Sequence, residues 1–310
     1  MRILLWHVHG SWTTAFLQGP HTYLLPVLPD RGPDGRGRAL TWEWPDSAHE
    51  LAPRQLADAE IDLVVLQRPH ELELVESWLG RRPGRDLPAI YLEHNAPQGR
   101  IAEMRHPVAD RDDIALAHVT HFNDLFWDAG STATTVIEHG IVDPGYRYTG
   151  ELAEAAVAIN EPGRRWRVTG TDLLPRLNHD VPLRLFGIGA AELGGIESLE
   201  QGRLHTEMAR RRAYLHPIRW TSLGLSLIEA MQLGMPVVVL ATTEAVEAVP
   251  PEAGLLSTRV ETLAAGLREL IADRELAAAR GKEARRAALE RFGLQRFLSD
   301  WDELLEGVAA

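Results

Sequence analysis

The sequence of 310 residues contains no cysteine and only one lysine, Lys282. The absence of cysteine excludes disulfides, thiolate catalysis and zinc sites with cysteine ligands. Because lysine is almost absent, any phosphate site must use arginine, histidine or backbone amides. The formal net charge of −12 argues against a non-specific nucleic-acid surface. No apolar run approaches the roughly 18 residues of a membrane helix, and the first apolar run is too short for a signal peptide. A cytoplasmic location is therefore expected.

The composition, 45% apolar and 25% charged, is typical of a globular protein and allows two domains. Short apolar runs alternate with amphipathic ones, which predicts parallel sheets covered by helices on both faces. Strands are predicted at 3–6, 39–44, 61–66, 89–92, 115–119, 134–137, 155–159, 183–186, 214–216, 236–240 and 254–256. Helices are predicted at 71–79, 100–104, 121–129, 171–177, 207–212 and throughout the chain after 260.

A glycine-containing segment at 140–150 follows the sixth predicted strand and has the composition of a linker. The strand–helix alternation restarts after it. We therefore predict an N-terminal domain at 1–145, a C-terminal domain at 146–291 and a terminal helical segment at 292–310. Ligands of such sheets bind outside the carboxyl ends of the strands.

One stretch in the second half combines a helix with a buried strand. An apolar stripe at 225–231 predicts the helix, and Gly234 is expected to end it. A phosphate bound at the amides of Ser222 to Leu225 would lie about 7 Å from Glu229, where a ribose fits. The pattern therefore predicts a nucleotide diphosphate at the helix tip. The alternative is an ordinary helix with a surface glutamate.

This half of the chain resembles the signature of family-4 retaining glycosyltransferases in four motifs, namely LHP at 215–217, SLGL at 222–225, LIEAM at 227–231 and GMPVV at 234–238. That family has the GT-B fold, in which two Rossmann-like α/β domains face each other across a cleft. The resemblance implies transfer of a sugar from a nucleotide-diphosphate sugar to an acceptor, with retention of anomeric configuration and without a metal or another cofactor. The base, the sugar and the acceptor (glycan, lipid or small molecule) stay undetermined.

The resemblance also implies roles for single residues on the donor side. Glu229 matches the family glutamate that binds the ribose. Thr221 stands where the family has a second glutamate, which contacts the donor sugar, so the two-glutamate motif is altered. A hydroxyl can bond to a sugar, but it lacks the charge that makes such bonds roughly twice as strong. The remaining donor-binding positions of the C-terminal domain are Gly187, Ser222, Leu223, Gly224, Leu225 and Glu247.

The family grips the diphosphate with an arginine and a lysine, and here Thr169 occupies the lysine position. We expect Arg164, Arg165 or Arg167 to supply the positive charge, because the guanidinium fork binds phosphate through two hydrogen bonds. The alternative is a solvated basic turn.

On the acceptor side, the resemblance places His94 near the reacting carbon, as a catalytic residue that follows a buried strand. It implies a loop at Gly10, Ser11 and Trp12 that faces the acceptor. It also implies that the 292–310 helix packs back on the N-terminal domain.

Two other functions are weighed against sugar transfer. Thr221 and the missing lysine favour a catalytically weak or inactive relative that binds a sugar nucleotide or a protein partner. An epimerase would need an acid and a base beside the sugar, and no such pair is identified. The Asp-Arg-Asp turn at 110–112 and the alternating His7 and His9 do not supply the three or four converging ligands of a metal site, so no metal is predicted.

Overall fold

The computed structural model describes all residues from 1 to 310. They form two compact units: unit 1 is Met1–Val142 together with Leu294–Ala310, and unit 2 is Asp143–Gly293. Each unit is built on one parallel sheet with helices between its strands, so the predicted class of two doubly wound α/β domains is confirmed. The predicted limits at 145 and 291 lie three residues after Val142 and two residues before Gly293.

Unit 1 contains the strands β1 (Arg2–Leu5), β2 (Thr22–Pro26), β3 (Ala48–Leu51), β4 (Leu63–Leu66), β5 (Ala89–Glu93), β6 (Ala115–His118) and β7 (Thr134–Val136). Their order in the sheet is β3-β2-β1-β4-β5-β6-β7, and all pairs are parallel. The helices between them are α1 (Gly10–Phe16), α2 (Pro53–Asp58), α3 (Glu71–Leu79) and α4 (His121–Phe126). Central strands such as β4 are buried on both faces, which explains their continuous apolar sequence.

Unit 2 contains β8 (Leu152–Ala158), β9 (Leu183–Phe186), β10 (Arg211–His216), β11 (Val237–Leu240) and β12 (Gly254–Ser257), in the parallel order β12-β11-β10-β8-β9. Its helices are α5 (Pro162–Arg165), α6 (Leu174–Asp180), α7 (Gln201–Arg210), α8 (Leu225–Gln232), α9 (Ala245–Ala248), α10 (Val260–Ala272) and α11 (Arg274–Arg291). Short 3-10 turns lie at Thr171–Leu173 and Ala190–Leu193. One face of this sheet packs on α6, α10 and α11 around a core of aliphatic side chains.

The final helix, α12 (Leu294–Ala309), belongs to unit 1. Its buried residues Phe297, Trp301 and Leu305 recur every fourth position and therefore share one face. The ring of Trp301 lies 5.6 Å from that of Trp12 and 5.0 Å from that of Phe16. These contacts anchor α12 on α1.

Two sequence-based assignments in unit 1 are wrong. Residues 39–44 form a loop rather than a strand, and the carbonyl of Trp44 accepts from the Arg38 guanidinium instead of from a neighbouring strand. The helix expected at 100–104 is a single 3-10 turn, Ile101–Glu103. The sequence analysis also missed β2 and β3.

Candidate functional site

The predicted nucleotide-binding stretch lies at the carboxyl end of β10. Pro217 follows the strand, and α8 begins after Gly224. The helix ends before Gly234, which has a φ of +90° and so adopts the left-handed conformation that glycine tolerates. The residue before the helix, Gly224, has no side chain with which to cap the first turn of α8, so its position leaves room for a ligand at these amides.

Glu229 is buried, with 4% of its surface exposed. Its Oε2 lies 3.1 Å from Nε2 of Gln201 and 3.3 Å from Nε2 of His205, both on α7. Burying a carboxylate is unfavourable unless polar partners compensate it, and α7 provides such partners. The alternative of a surface glutamate is therefore wrong.

The tip of α8 packs closely on a buried histidine. A Cβ on Gly224 would lie 2.4 Å from Cε1 of His216, so only glycine fits at this position. Burial lowers the pKa of His216 to about 4, and the ring is neutral at pH 7. Ser222 and Leu223 are buried, whereas Gly224 and Leu225 are partly exposed.

The three candidate arginines differ in their partners. Arg164 pairs with Glu161, and Arg167 lies 3.3 Å from the Asp172 carboxylate. Arg165 is half-buried and has neither a hydrogen bond nor an ion pair through its guanidinium. Burial, and then the charge of Arg164, lowers the pKa of Arg165. Of the three guanidinium groups, that of Arg165 alone makes no ion pair, although the carboxylate of Glu161 acts on it from a longer distance.

The segment that carries these arginines is hydrogen-bonded to the loop before α8. The backbone amides of Arg219 and Trp220 both donate to the carbonyl of Val168, at 2.9 and 3.2 Å. Gly170 has a φ of +71°, and a Cβ there would lie 2.0 Å from the carbonyl oxygen of Pro217. Since β8 and β10 are neighbouring parallel strands, the loops after them meet at the same edge of the sheet.

Three further donor-side predictions have a clear structural setting. Thr169 is fully buried, and its hydroxyl lies 2.8 Å from that of Thr171. Gly187 has a φ of +132°, and a Cβ there would lie 2.1 Å from the carbonyl oxygen of Ile159, so backbone packing alone requires glycine. Thr221 is partly exposed in the loop before α8. Their roles toward a ligand remain predictions.

The turn after β11 buries a different glutamate from the predicted one. Glu247 is exposed in α9. Glu244 is 2% exposed and lies 2.7 Å from the guanidinium of Arg291. Thr243 has a φ of +51°, in the left-handed region that glycine adopts more readily. The sequence analysis missed Glu244, because its partner lies 47 residues later.

His94 is buried directly after β5 and is held by a residue that the sequence analysis missed. Its Nε2 lies 2.9 Å from Oε1 of Gln67, whose amide nitrogen donates to the carbonyl of Trp6 at 2.8 Å. The amide oxygen can only accept, so Nε2 of His94 carries the proton. Burial, and then the nearby His9 and His139, lowers the pKa of His94 well below its usual value. The ring is therefore neutral at pH 7.

The predicted loop at Gly10, Ser11 and Trp12 is wrong in conformation, because these residues form the first turn of α1. Trp12 is fully buried. A Cβ on Gly10 would lie 3.1 Å from the indole nitrogen of Trp42, which places a tryptophan that we had not singled out beside this turn. A contact of this segment with an acceptor remains a prediction.

Residues 194–287 match the sequence model of the family Glycosyl transferases group 1, whereas no curated protein matches the chain. The chain is similar in structure to sucrose-phosphate synthase from Thermosynechococcus elongatus, with 13% identity, 99% of this chain and 98% of that chain covered, and a TM-score of 0.73. It is also similar to HepE from Anabaena, solved with UDP (16% identity, 99% of each chain, TM-score 0.72) and with UDP-glucose (16% identity, 99% of this chain and 100% of that chain, TM-score 0.70).

None of the helices combines the length and the apolar composition that a membrane span requires. The similarity to solved structures extends over nearly the whole chain, and the fold is therefore GT-B. The family match at residues 194–287 and this fold together support a glycosyltransferase of the GT-B fold.

Proposed function

We propose that the chain is a retaining, metal-independent glycosyltransferase that uses a uridine-diphosphate sugar. The observation that carries the proposal is the buried carboxylate of Glu229 in the second turn of a helix that begins after Gly224. Free amides and the helix dipole attract a phosphate, and a carboxylate in the next turn accepts hydrogen bonds from ribose hydroxyls. The choice of uracil rests on HepE, which was solved with UDP and with UDP-glucose.

Arg165 is the proposed ligand of the diphosphate. It lies on the loop after β8, it is half-buried, and its guanidinium has no other partner. Departure of the diphosphate places negative charge on the leaving oxygen. A fixed cation stabilises that charge more in the transition state than in the ground state, and this difference accelerates the reaction. The arginine thus supplies the charge that a metal provides in other transferases.

Thr221 is proposed to contact the donor sugar. Its hydroxyl is neutral and short, so it holds a sugar hydroxyl less strongly than a carboxylate would. We infer that the preferred sugar differs from that of relatives with a glutamate at this position. His94 is the proposed catalytic residue of unit 1. Its neutral ring, oriented by Gln67, suits hydrogen bonding to a sugar better than proton uptake.

Calorimetric titration of the full chain with UDP, UMP and uridine tests the donor site. We expect UDP to bind most tightly, and Glu229→Ala to weaken UDP about 10- to 100-fold, since it removes hydrogen bonds to a charged group. Incubation with a panel of UDP-sugars and sugar acceptors then tests transfer, with anomeric configuration of the product determined by NMR. Unchanged UDP affinity in the Glu229→Ala protein would contradict the ribose assignment.

A second candidate function is binding of a sugar nucleotide without transfer. Thr221 and the absence of a lysine in the loop after β8 favour it. Such a protein would bind UDP-sugars but release no UDP from them. Release of UDP, by transfer or by hydrolysis, in the wild type and its loss in Arg165→Ala would exclude this candidate.

A further inference from the structure

The carboxylate of Glu229 is held by two side chains of one neighbouring helix. Gln201 and His205 are four residues apart on α7, so they lie on the same face. Their side-chain nitrogens lie 2.8 Å from each other and 3.1 and 3.3 Å from the same carboxylate oxygen of Glu229. His205 is 6% exposed, so solvent competes little for these contacts.

We propose that Gln201 and His205 are positioning residues that fix the Glu229 carboxylate in the orientation in which it accepts hydrogen bonds from the ribose. This inference rests on the proposed function. A glutamate side chain has several rotatable bonds, and restricting them on binding reduces affinity. Two contacts to one oxygen restrict the side chain before the nucleotide arrives.

The chemistry of the two partners fits this role. The amide of Gln201 is neutral, and the imidazole of His205 is charged only if protonated. An arginine or lysine in the same place would bind the carboxylate as a full ion pair and compete with ribose hydroxyls for it. The amide nitrogen of Gln201 donates one N–H to Glu229, and its second N–H points to Nε2 of His205. A neutral amide donor that is itself oriented by the histidine fixes the carboxylate and preserves its capacity to accept further hydrogen bonds.

Other residues, rather than this pair, hold α7 in the fold. Met208 and Ala209 are fully buried in its last turn, and Arg211 just after it pairs with Glu207 at 2.7 Å. Gln201 lies in the first turn and is partly exposed. Replacing Gln201 should therefore leave the helix in place, which makes it a suitable second probe if a change at His205 disturbs folding.

The test compares UDP with 2′-deoxy-UDP by calorimetry, because their affinity ratio reports on hydrogen bonding to the ribose. We expect the wild type to prefer UDP by about tenfold, and Glu229→Gln to lose most of this preference. Gln201→Leu and His205→Leu should each lower the ratio about threefold or more, mainly by weakening UDP. His205→Gln should restore part of it. Arg203→Ala, an exposed change on the same helix, should leave the ratio unchanged.

If Gln201→Leu and His205→Leu weaken both nucleotides equally, or change only the melting temperature, the pair has a structural role and the inference is overturned. If the affinity ratio of UDP to 2′-deoxy-UDP is the same for the wild type as for Glu229→Gln, Glu229 does not bind the ribose. The ribose assignment then fails, and the inference fails with it. The two results can be told apart, because in the first one Glu229→Gln still loses most of the preference for UDP over 2′-deoxy-UDP.

Discussion

The guanidinium of Arg219 donates to both carboxylate oxygens of Asp172, at 2.9 Å for the Nη2 bond. This pair joins the loop before α8 to the turn that follows the arginine segment, and it lowers the pKa of Asp172. The same guanidinium donates to the carbonyl of Arg167 at 2.7 Å. A single side chain thus holds in place both loops that we assign to the diphosphate.

Arg219→Ala should therefore weaken diphosphate binding without removing a phosphate ligand. We expect UDP affinity to fall about three- to tenfold, since a mispositioned loop loses part of a charge-assisted contact, while uridine affinity stays unchanged. Calorimetry with both ligands measures the difference. Arg176→Ala, which removes an exposed pair with Glu261, is the matched control. An equal fall for UDP and uridine would indicate general unfolding of the site instead.

The three arginines of the loop after β8 should respond differently to replacement. Arg165→Ala is expected to weaken UDP about 10- to 100-fold, because it removes the one guanidinium without a carboxylate partner. Arg164→Ala should change affinity less than about threefold, since Arg164 is exposed and pairs with Glu161. UDP titrations at two salt concentrations measure both. Arg165→Lys should recover only part of the affinity, because lysine lacks the planar fork. Equal effects at 164 and 165 would refute the assignment.

Gly224 is expected to tolerate no side chain. Gly224→Ala would bring a methyl group against His216, and such overpacking destabilises by about 1–3 kcal/mol. Urea unfolding measures the change. His216→Ala in the same chain should relieve the clash, so the double variant should be more stable than the sum of the single effects predicts. Gly307→Ala is the control, because nothing lies within 4 Å of that position and alanine stabilises a helix by about 1 kcal/mol.

Local patterns were sufficient to predict α8 and the strand that follows it. The apolar stripe of α8, the stop at Gly234 and the buried β11 all follow from spacing over a few residues. The choice of Arg165 among the three arginines does not follow from local patterns, because it depends on which guanidinium groups form ion pairs with a carboxylate. Nothing in the order of residues shows that Glu161 and Asp172 point to Arg164 and Arg167.

Contacts distant in sequence account for the other omissions. Gln67 reaches His94 from the residue directly after β4, 27 residues away, and His205 reaches Glu229 from another helix, 24 residues away. The loop expected at Gly10 follows from the family resemblance, whereas the structure has the first turn of α1 there. A Cβ at Gly10 would lie in tight contact with the indole of Trp42, a neighbour that only the folded chain creates.

His118, at the end of β6, makes the fold sensitive to acid. It is fully buried, and neither of its ring nitrogens has a hydrogen-bond partner. Burial lowers its pKa to about 4, with the nearby carboxylate of Asp124 opposing that shift and His106 adding to it. In the unfolded chain the pKa is about 6.5. The unfolded state therefore binds the proton first as the pH falls, and the stability contributed by a neutral His118 is lost between pH 6.5 and 4.

His118→Leu should remove this loss. The variant removes two unpartnered ring nitrogens from the core, so we expect it to equal or exceed the wild type at pH 7. At pH 5 its advantage should grow by about 2 kcal/mol, the cost of keeping one histidine neutral 1.5 pH units below its unfolded pKa. Urea unfolding of both proteins at the two pH values measures this difference. His179→Leu, at a side chain that is 90% exposed, should not reproduce it. A constant difference between wild type and His118→Leu at pH 7 and pH 5 would mean that His118 has the same pKa in the folded and the unfolded chain, and would contradict the prediction.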